Sequence, residues 1–214
     1  IRAIGNAQTD TAENAFDTSS LLVDGTSDYL YMPSASWFDP GDQDWTAECW
    51  FKSTATANGG LISKRNAGGA SNTDFVSYLW GDGKVKIWVS NGSSYIVSEL
   101  TTTSTYNDGN WHHVAFVRNG SNFDIYVDGS SDANTTISGS VPTSTRNFNI
   151  GTDHGTNAEF NGSIDEVRIS DTARYTASYT TPTEPFQNDG NTLLLVHCDG
   201  TDGDQTFFDD NGQF

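Results

Sequence analysis

Trp111-His112-His113-Val114-Ala115-Phe116-Val117-Arg118-Asn119-Gly120-Ser121-Asn122-Phe123-Asp124-Ile125-Tyr126-Val127-Asp128-Gly129 decides the fold. Side chains alternate in character from Trp111 to Arg118, the period-2 pattern of a half-buried strand. Asn119-Gly120 and Asp128-Gly129 then bracket a second run, Phe123 to Val127, and these dipeptides suit the positive φ of hairpin turns. Working outward, Val85-Lys86-Ile87-Trp88-Val89 alternates in the same way. Further runs stand at Leu21–Val23, Tyr29–Met32, Trp45–Lys52, Gly60–Lys64, Phe75–Trp80, Tyr95–Leu100, Phe148–Ile150, Ser163–Ile169 and Leu193–Cys198. Asp24-Gly25, Asp82-Gly83 and Asn91-Gly92 separate several of them. A dozen short strands with local hairpins predict an all-β fold, a two-sheet antiparallel β-sandwich of jelly-roll type. Only Thr172–Ser178 reads as a short helical turn.

Composition agrees. The chain has 214 residues, 22 Asp against 6 Glu, and a formal net charge of −18. Such a charge repels phosphate backbones, and the ten Lys and Arg are scattered, so nucleic acid is excluded as a partner. The longest apolar run, Leu193–Val196, falls far short of a membrane-spanning helix. Six Trp, eight Tyr and twelve Phe provide a core and argue against disorder. Residue 1 is Ile and no leader pattern follows, so the chain is expected to be processed or cut from something longer.

Six motifs in order carry a resemblance: Val23-Asp24-Gly25-Thr26-Ser27-Asp28-Tyr29-Leu30, Trp45 to Lys52, Trp111-His112-His113-Val114-Ala115, Ile125-Tyr126-Val127-Asp128-Gly129, Asn149-Ile150-Gly151 and Gly162-Ser163-Ile164-Asp165-Glu166-Val167-Arg168-Ile169. Together they resemble the laminin-G-like and pentraxin-like branch of the concanavalin A-like lectin/glucanase superfamily, over residues 15 to 171. That fold serves lectins, adhesion modules, spacers and glycosidases. Versions found in tandem in phage and bacterial surface proteins usually open with a segment like Thr192–Gly200, which here closes the chain. The expected organisation is a laminin-G-like jelly-roll domain over 1–190 with a C-terminal strand segment over 191–214. That segment either completes its own sandwich or is donated to a neighbouring repeat or subunit.

The resemblance also implies a calcium ion at the sandwich rim. Asp165 is the first candidate ligand, followed by Asp24 and Asp28 of the first motif and by Asp199, since short loop carboxylates suit Ca²⁺. Each has a second reading as a turn-capping side chain. For a glycan, exposed aromatic rings are the expected platform. If Val85, Ile87 and Val89 face the core, Lys86 and Trp88 face out. Trp50 shares a face with Glu48 and Lys52, and Tyr95 reads either way. A two-residue Asp82-Gly83 turn would bury Trp80 and a three-residue loop would expose it, and the family pattern implies burial. Cys49 and Cys198 fall on apolar strand faces, either as a disulfide closing a loop of about 150 residues, worth up to about 5 kcal/mol, or as two buried thiols.

Catalysis finds little footing. The paired-carboxylate run of a glycosidase is missing from the sequence, and Asp165 and Glu166, being adjacent on a strand, should face opposite ways. The same holds for His112 and His113, and His113 is expected as a hydrogen-bonded buried residue. The resulting expectation is a non-enzymatic, calcium-stabilised module, extracellular or on a virion appendage, adhering to a glycan or cell-surface polysaccharide. Its competitor is a structural repeat or filament subunit that joins neighbouring copies of itself by exchanging the C-terminal strand and binds no sugar.

Overall fold

The computed structural model describes residues 1–33, 35–155 and 157–212. Its strands are β1 (Arg2–Ile4), β2 (Gln8–Asp10), β3 (Ser20–Asp24), β4 (Tyr29–Met32), β5 (Trp45–Lys52), β6 (Gly59–Arg65), β7 (Thr73–Leu79), β8 (Val85–Ser90), β9 (Tyr95–Thr101), β10 (His112–Asn119), β11 (Asn122–Val127), β12 (Ser130–Thr136), β13 (Phe148–Ile150), β14 (Asn161–Ser170) and β15 (Thr192–Val196). A seven-stranded sheet runs β1-β4-β13-β6-β7-β8-β9, and an eight-stranded sheet runs β12-β11-β10-β5-β14-β3-β2 with β15 paired to β14. All pairings are antiparallel, so the expected two-sheet jelly-roll sandwich is the observed fold.

Alternation assigns the faces. In β10, Val114 and Phe116 point between the sheets opposite Cys49 and Ala47 of β5. His113, Ala115 and Val117 point away, opposite Trp50, Glu48 and Thr46. In the other sheet Phe75, Leu79, Val85, Ile87 and Val89 enter the core, which leaves Tyr78, Lys86 and Trp88 on the outer face.

Local departures shape both outer faces. Between Asp165 and Arg168 the β14–β5 register shifts by one residue, and the extra residue, Glu166, has φ +51°. This bulge breaks the alternation on which Asp165 and Glu166 were assigned to opposite faces, and both are buried. The expected helical turn at Thr172–Ser178 is absent; the one 3-10 turn among the described residues is Ala70–Asn72. Residues 171–191 instead form a strap that leaves and rejoins β14 at one point, Asp171 N–H donating to Asn191 O at 3.0 Å. Its far end docks on the β11–β12 turn, where Tyr179 N–H donates to Gly129 O at 2.8 Å.

The C-terminal segment pairs along β14. β3 pairs with residues 161–164 of β14, and β15 pairs with residues 167–170, so the two lie end to end along one edge. Beyond β15 the chain runs beside β2: Thr9 and Asp204 are joined at 2.8 Å, and Gly203 donates to Thr9 O at 2.9 Å.

Candidate functional site

The outer face of the seven-stranded sheet carries an aromatic patch. Trp80 N–H donates to Lys84 O and Gly83 N–H to Trp80 O, both at 2.8 Å, which makes Gly81-Asp82-Gly83 a three-residue loop. Gly83 takes φ +82° there, a conformation glycine adopts without strain. The burial of Trp80 implied by the family pattern is thus corrected: the register turns its ring outward, where it is half-buried beside Trp88. Ring centroids of Tyr78 lie 5.5 Å from those of Trp80 and Trp88, and the two tryptophans are 6.0 Å apart. Lys86 Nζ sits 4.8 Å from the Trp80 ring and 3.0 Å from Glu99 of β9. Tyr95, also on β9 opposite Ser90, is half-buried at this edge.

A polar group borders the rings. Arg65 pairs with Asp153 at 2.9 Å and donates to the Tyr78 hydroxyl at 3.4 Å. Asp153 also receives Asn157 Nδ2 at 2.8 Å and lies 3.0 Å from His154. The segment carrying Thr152 and Asp153 reaches this position because Gly60 offers no side chain: a Cβ there would come within 2.3 Å of Thr152. Burial, followed by the nearby Asp153, pushes the Tyr78 hydroxyl well above its ordinary range, so it stays protonated as a donor. Arg65 Nε has no hydrogen-bond partner among the described residues. Sequence alternation gave Lys86 and Trp88, but nothing in it signals Arg65 or Asp153, which meet only because a distant loop folds over β6.

Trp50 belongs to the opposite sheet and is not part of this patch. It points outward as expected and is half-buried, with the Phe16 ring 5.3 Å and the His113 ring 5.5 Å from its own. The strap covers the centre of that face, over Glu48, His113 and Tyr126. Glu48, fully buried, accepts Arg168 Nε at 2.8 Å, the Tyr175 hydroxyl at 2.8 Å and His113 Nε2 at 3.2 Å. Burial alone would raise the Glu48 pKa, but the His113 hydrogen bond and the Arg168 charge outweigh it and hold it below the ordinary value. His113 Nδ1 accepts from the Tyr179 hydroxyl at 2.8 Å, so both ring nitrogens are used, and Tyr175 stacks on Tyr179 at 3.7 Å. His113 is buried and hydrogen-bonded as expected, though beneath the strap and not between the sheets.

The four aspartates proposed as calcium ligands do not converge. Asp24 caps its own turn through Thr26 N–H at 2.8 Å, and buried Asp28 accepts from Asn6 N–H at 2.5 Å. Both lie at the far end of β3 from Asp199, about 13 Å away at 3.3 Å per residue, so they cannot share its ion. Asp165 and Asp199 do border one loop. Asp165 Oδ2 accepts Ala15 N–H at 2.9 Å, while Asp199 accepts Thr18 N–H at 3.4 Å. Desolvation, helped by the neighbouring Glu166 carboxylate, pushes Asp165 up to about 8 against its backbone hydrogen bonds. Among the described residues no group of three or more His, Cys, Asp or Glu side chains forms a metal cluster. Cys49 and Cys198 are buried free thiols and not a disulfide, each filling a slot in the apolar core.

Asp165 and Glu166 lie on the other sheet, away from this patch. Asp165 and Glu166 are both about 1% exposed, and Glu166 is occupied by Phe186 N–H at 2.6 Å and His197 Nδ1 at 2.6 Å. No described helix is long and apolar enough to cross a membrane.

Solved structures share this architecture. A putative carbohydrate binding protein from Bacteroides ovatus aligns with a TM-score of 0.63 at 14% identity, covering 100% of this chain and 56% of that one. Domain 4 of AbnA, an extracellular arabinanase from Geobacillus stearothermophilus solved with arabinotriose, aligns at 0.61 with 20% identity, covering 79% and 77%. The mouse laminin α1 LG4-5 pair aligns at 0.57 with 19% identity, covering 86% and 48%. The chain thus spans about half the length of the laminin pair and of the Bacteroides protein. Residues 24–178 match the family described as the concanavalin A-like lectin/glucanases superfamily, and with the two-sheet topology and the motif order above, the chain belongs to that superfamily.

Proposed function

We propose that this chain is a non-enzymatic carbohydrate-binding module that takes a glycan on the outer face of its seven-stranded sheet. The observation that carries the reading is an asymmetry between the two faces. The strap and its buried Glu48 network cover the centre of one, while the other exposes part of Trp80 and Trp88 beside the largely buried Tyr78, Lys86 and Arg65. Rings flanked by a few fixed polar groups suit sugars, whose C–H faces pack on aromatics while hydroxyls seek donors and acceptors. The arabinanase domain solved with arabinotriose supports the reading by analogy of fold. An extracellular setting, on a cell surface or a virion appendage, belongs to the same proposal.

Calcium is a secondary part of it. Asp165 is a buried carboxylate with no basic group among the causes of its shift, beside a second buried acid. A divalent cation held by Asp165 and Asp199, completed by backbone carbonyls, would supply the missing positive charge and tie the loop between them. Strand exchange between copies is the competing reading; against it, the strap is pinned by Glu48 at one end and by the Arg174–Asp189 pair at 2.8 Å near the other.

The test is calorimetric titration of wild type and Trp88→Ala with a panel of oligosaccharides. Wild type should bind at least one, and the variant should lose tenfold or more, about 1.4 kcal/mol, with its circular dichroism unchanged. Equal binding by both would remove the patch from the account.

A further inference from the structure

The charge pattern around the rings narrows the ligand class. The two cations that border the rings each have a carboxylate: Lys86 meets Glu99 at 3.0 Å, and Arg65 meets Asp153 at 2.9 Å. At the β7–β8 turn a third cation, Lys84, is matched in number by Asp82, whose carboxylate accepts the Lys84 backbone N–H at 3.1 Å. The patch is therefore close to electrically balanced, inside a chain carrying −18. An acidic sugar would have to displace Glu99 or approach Asp153, and would cross the repulsive field of the whole molecule to do so. A hydroxyl meets none of these costs. What the face offers is neutral-ligand contact: the half-buried Trp80 and Trp88 rings, each set edge-on to Tyr78.

Resting on the carbohydrate reading above, we infer that this face selects neutral glycans and rejects acidic ones, with the Lys86–Glu99 pair as the selectivity element. Glu99 lies on an edge strand with its side chain 56% exposed, so it can be changed without disturbing the core.

The experiment titrates wild type and Glu99→Gln with neutral oligosaccharides (arabinotriose, cellohexaose, mannohexaose) and acidic ones (sialyllactose, hexagalacturonate) at 50 and 500 mM NaCl. Wild type should bind a neutral probe with an affinity that changes less than twofold with salt, and acidic probes at least tenfold more weakly. Glu99→Gln should narrow that gap severalfold by improving acidic binding while neutral binding holds. Acidic probes bound as tightly as neutral ones, with affinity falling as salt rises, would overturn the selectivity and leave the carbohydrate reading standing. A Glu99→Gln protein with an unchanged gap would overturn the role of the pair. No binding of any probe, with no change in tryptophan fluorescence, would overturn the carbohydrate reading itself.

Discussion

Substituting Glu48 by Gln tests how the chain closes one of its faces. The carboxylate is fully buried and accepts from Arg168, Tyr175 and His113, with Arg174 Nε a further 3.7 Å away. Gln keeps the shape and one acceptor but removes the charge that two arginines face. Breaking a buried ion pair from one side costs about 3–5 kcal/mol, and the retained acceptor places this variant near about 3 kcal/mol. For a chain of this size that corresponds to a fall in Tm of roughly 6–12 °C. Urea unfolding should show the midpoint falling with its slope unchanged. Tryptic cleavage after Arg174, in the strap, should accelerate. A double-mutant cycle with Arg168→Gln should give a coupling of about 1–3 kcal/mol, because the residues touch. A Tm shift below about 2 °C with unaltered cleavage would refute the reasoning, since the strap would then be held by its tyrosines alone.

Three other expectations concern the buried acids, His197 and the thiols. Without calcium, Asp165 has a folded pKa of about 8, above the value near 3.9 of an unfolded chain. Its contribution is therefore fully favourable below pH 4 and is lost as pH rises through 8, so the Tm of EDTA-treated protein should fall between pH 5 and 8, and added Ca²⁺ should restore it. A Tm indifferent to EDTA and Ca²⁺ would strike calcium from the proposal. His197 is raised, first by its hydrogen bond to Glu166, against desolvation, with Asp210 3.0 Å from Nε2. The stabilisation it gives is complete below the unfolded pKa near 6.5 and disappears as pH passes the raised folded value; His197→Ala should thus destabilise at pH 6 and matter less at pH 9. Burial raises both thiols, so a thiol reagent should find none in native protein and two in denaturant. Two unreactive sulfurs in denaturant would mean a disulfide.

The sandwich was legible because its central strands alternate, and β10, β11 and β8 are readable from Val114, Ile125 and Ile87 alone. β12, with the sequence Ser-Ser-Asp-Ala-Asn-Thr-Thr, was not, because an exposed edge strand buries too little to impose a hydrophobic period. The strap misled for a related reason: its regularity comes from Glu48 and His113 far away in sequence, not from local propensity. At the site, Trp88 followed from strand parity. Trp80 depended on a loop one residue longer than the shortest hairpin, a choice that Asp82-Gly83 leaves open. Arg65 and Asp153 are joined across 88 positions by a loop docking on Gly60, and no local pattern encodes such a meeting.

The central claim is that sugar lands on the seven-stranded sheet. Amide and indole chemical-shift mapping during titration with arabinotriose, cellohexaose and mannohexaose tests it most directly. The account predicts that shifts for a bound probe cluster on Arg65, Tyr78, Trp80, Lys86 and Trp88, with the Trp50 indole unmoved. Shifts centred on Trp50, Tyr175 and Tyr179, with the Trp80 and Trp88 indoles silent, would contradict it.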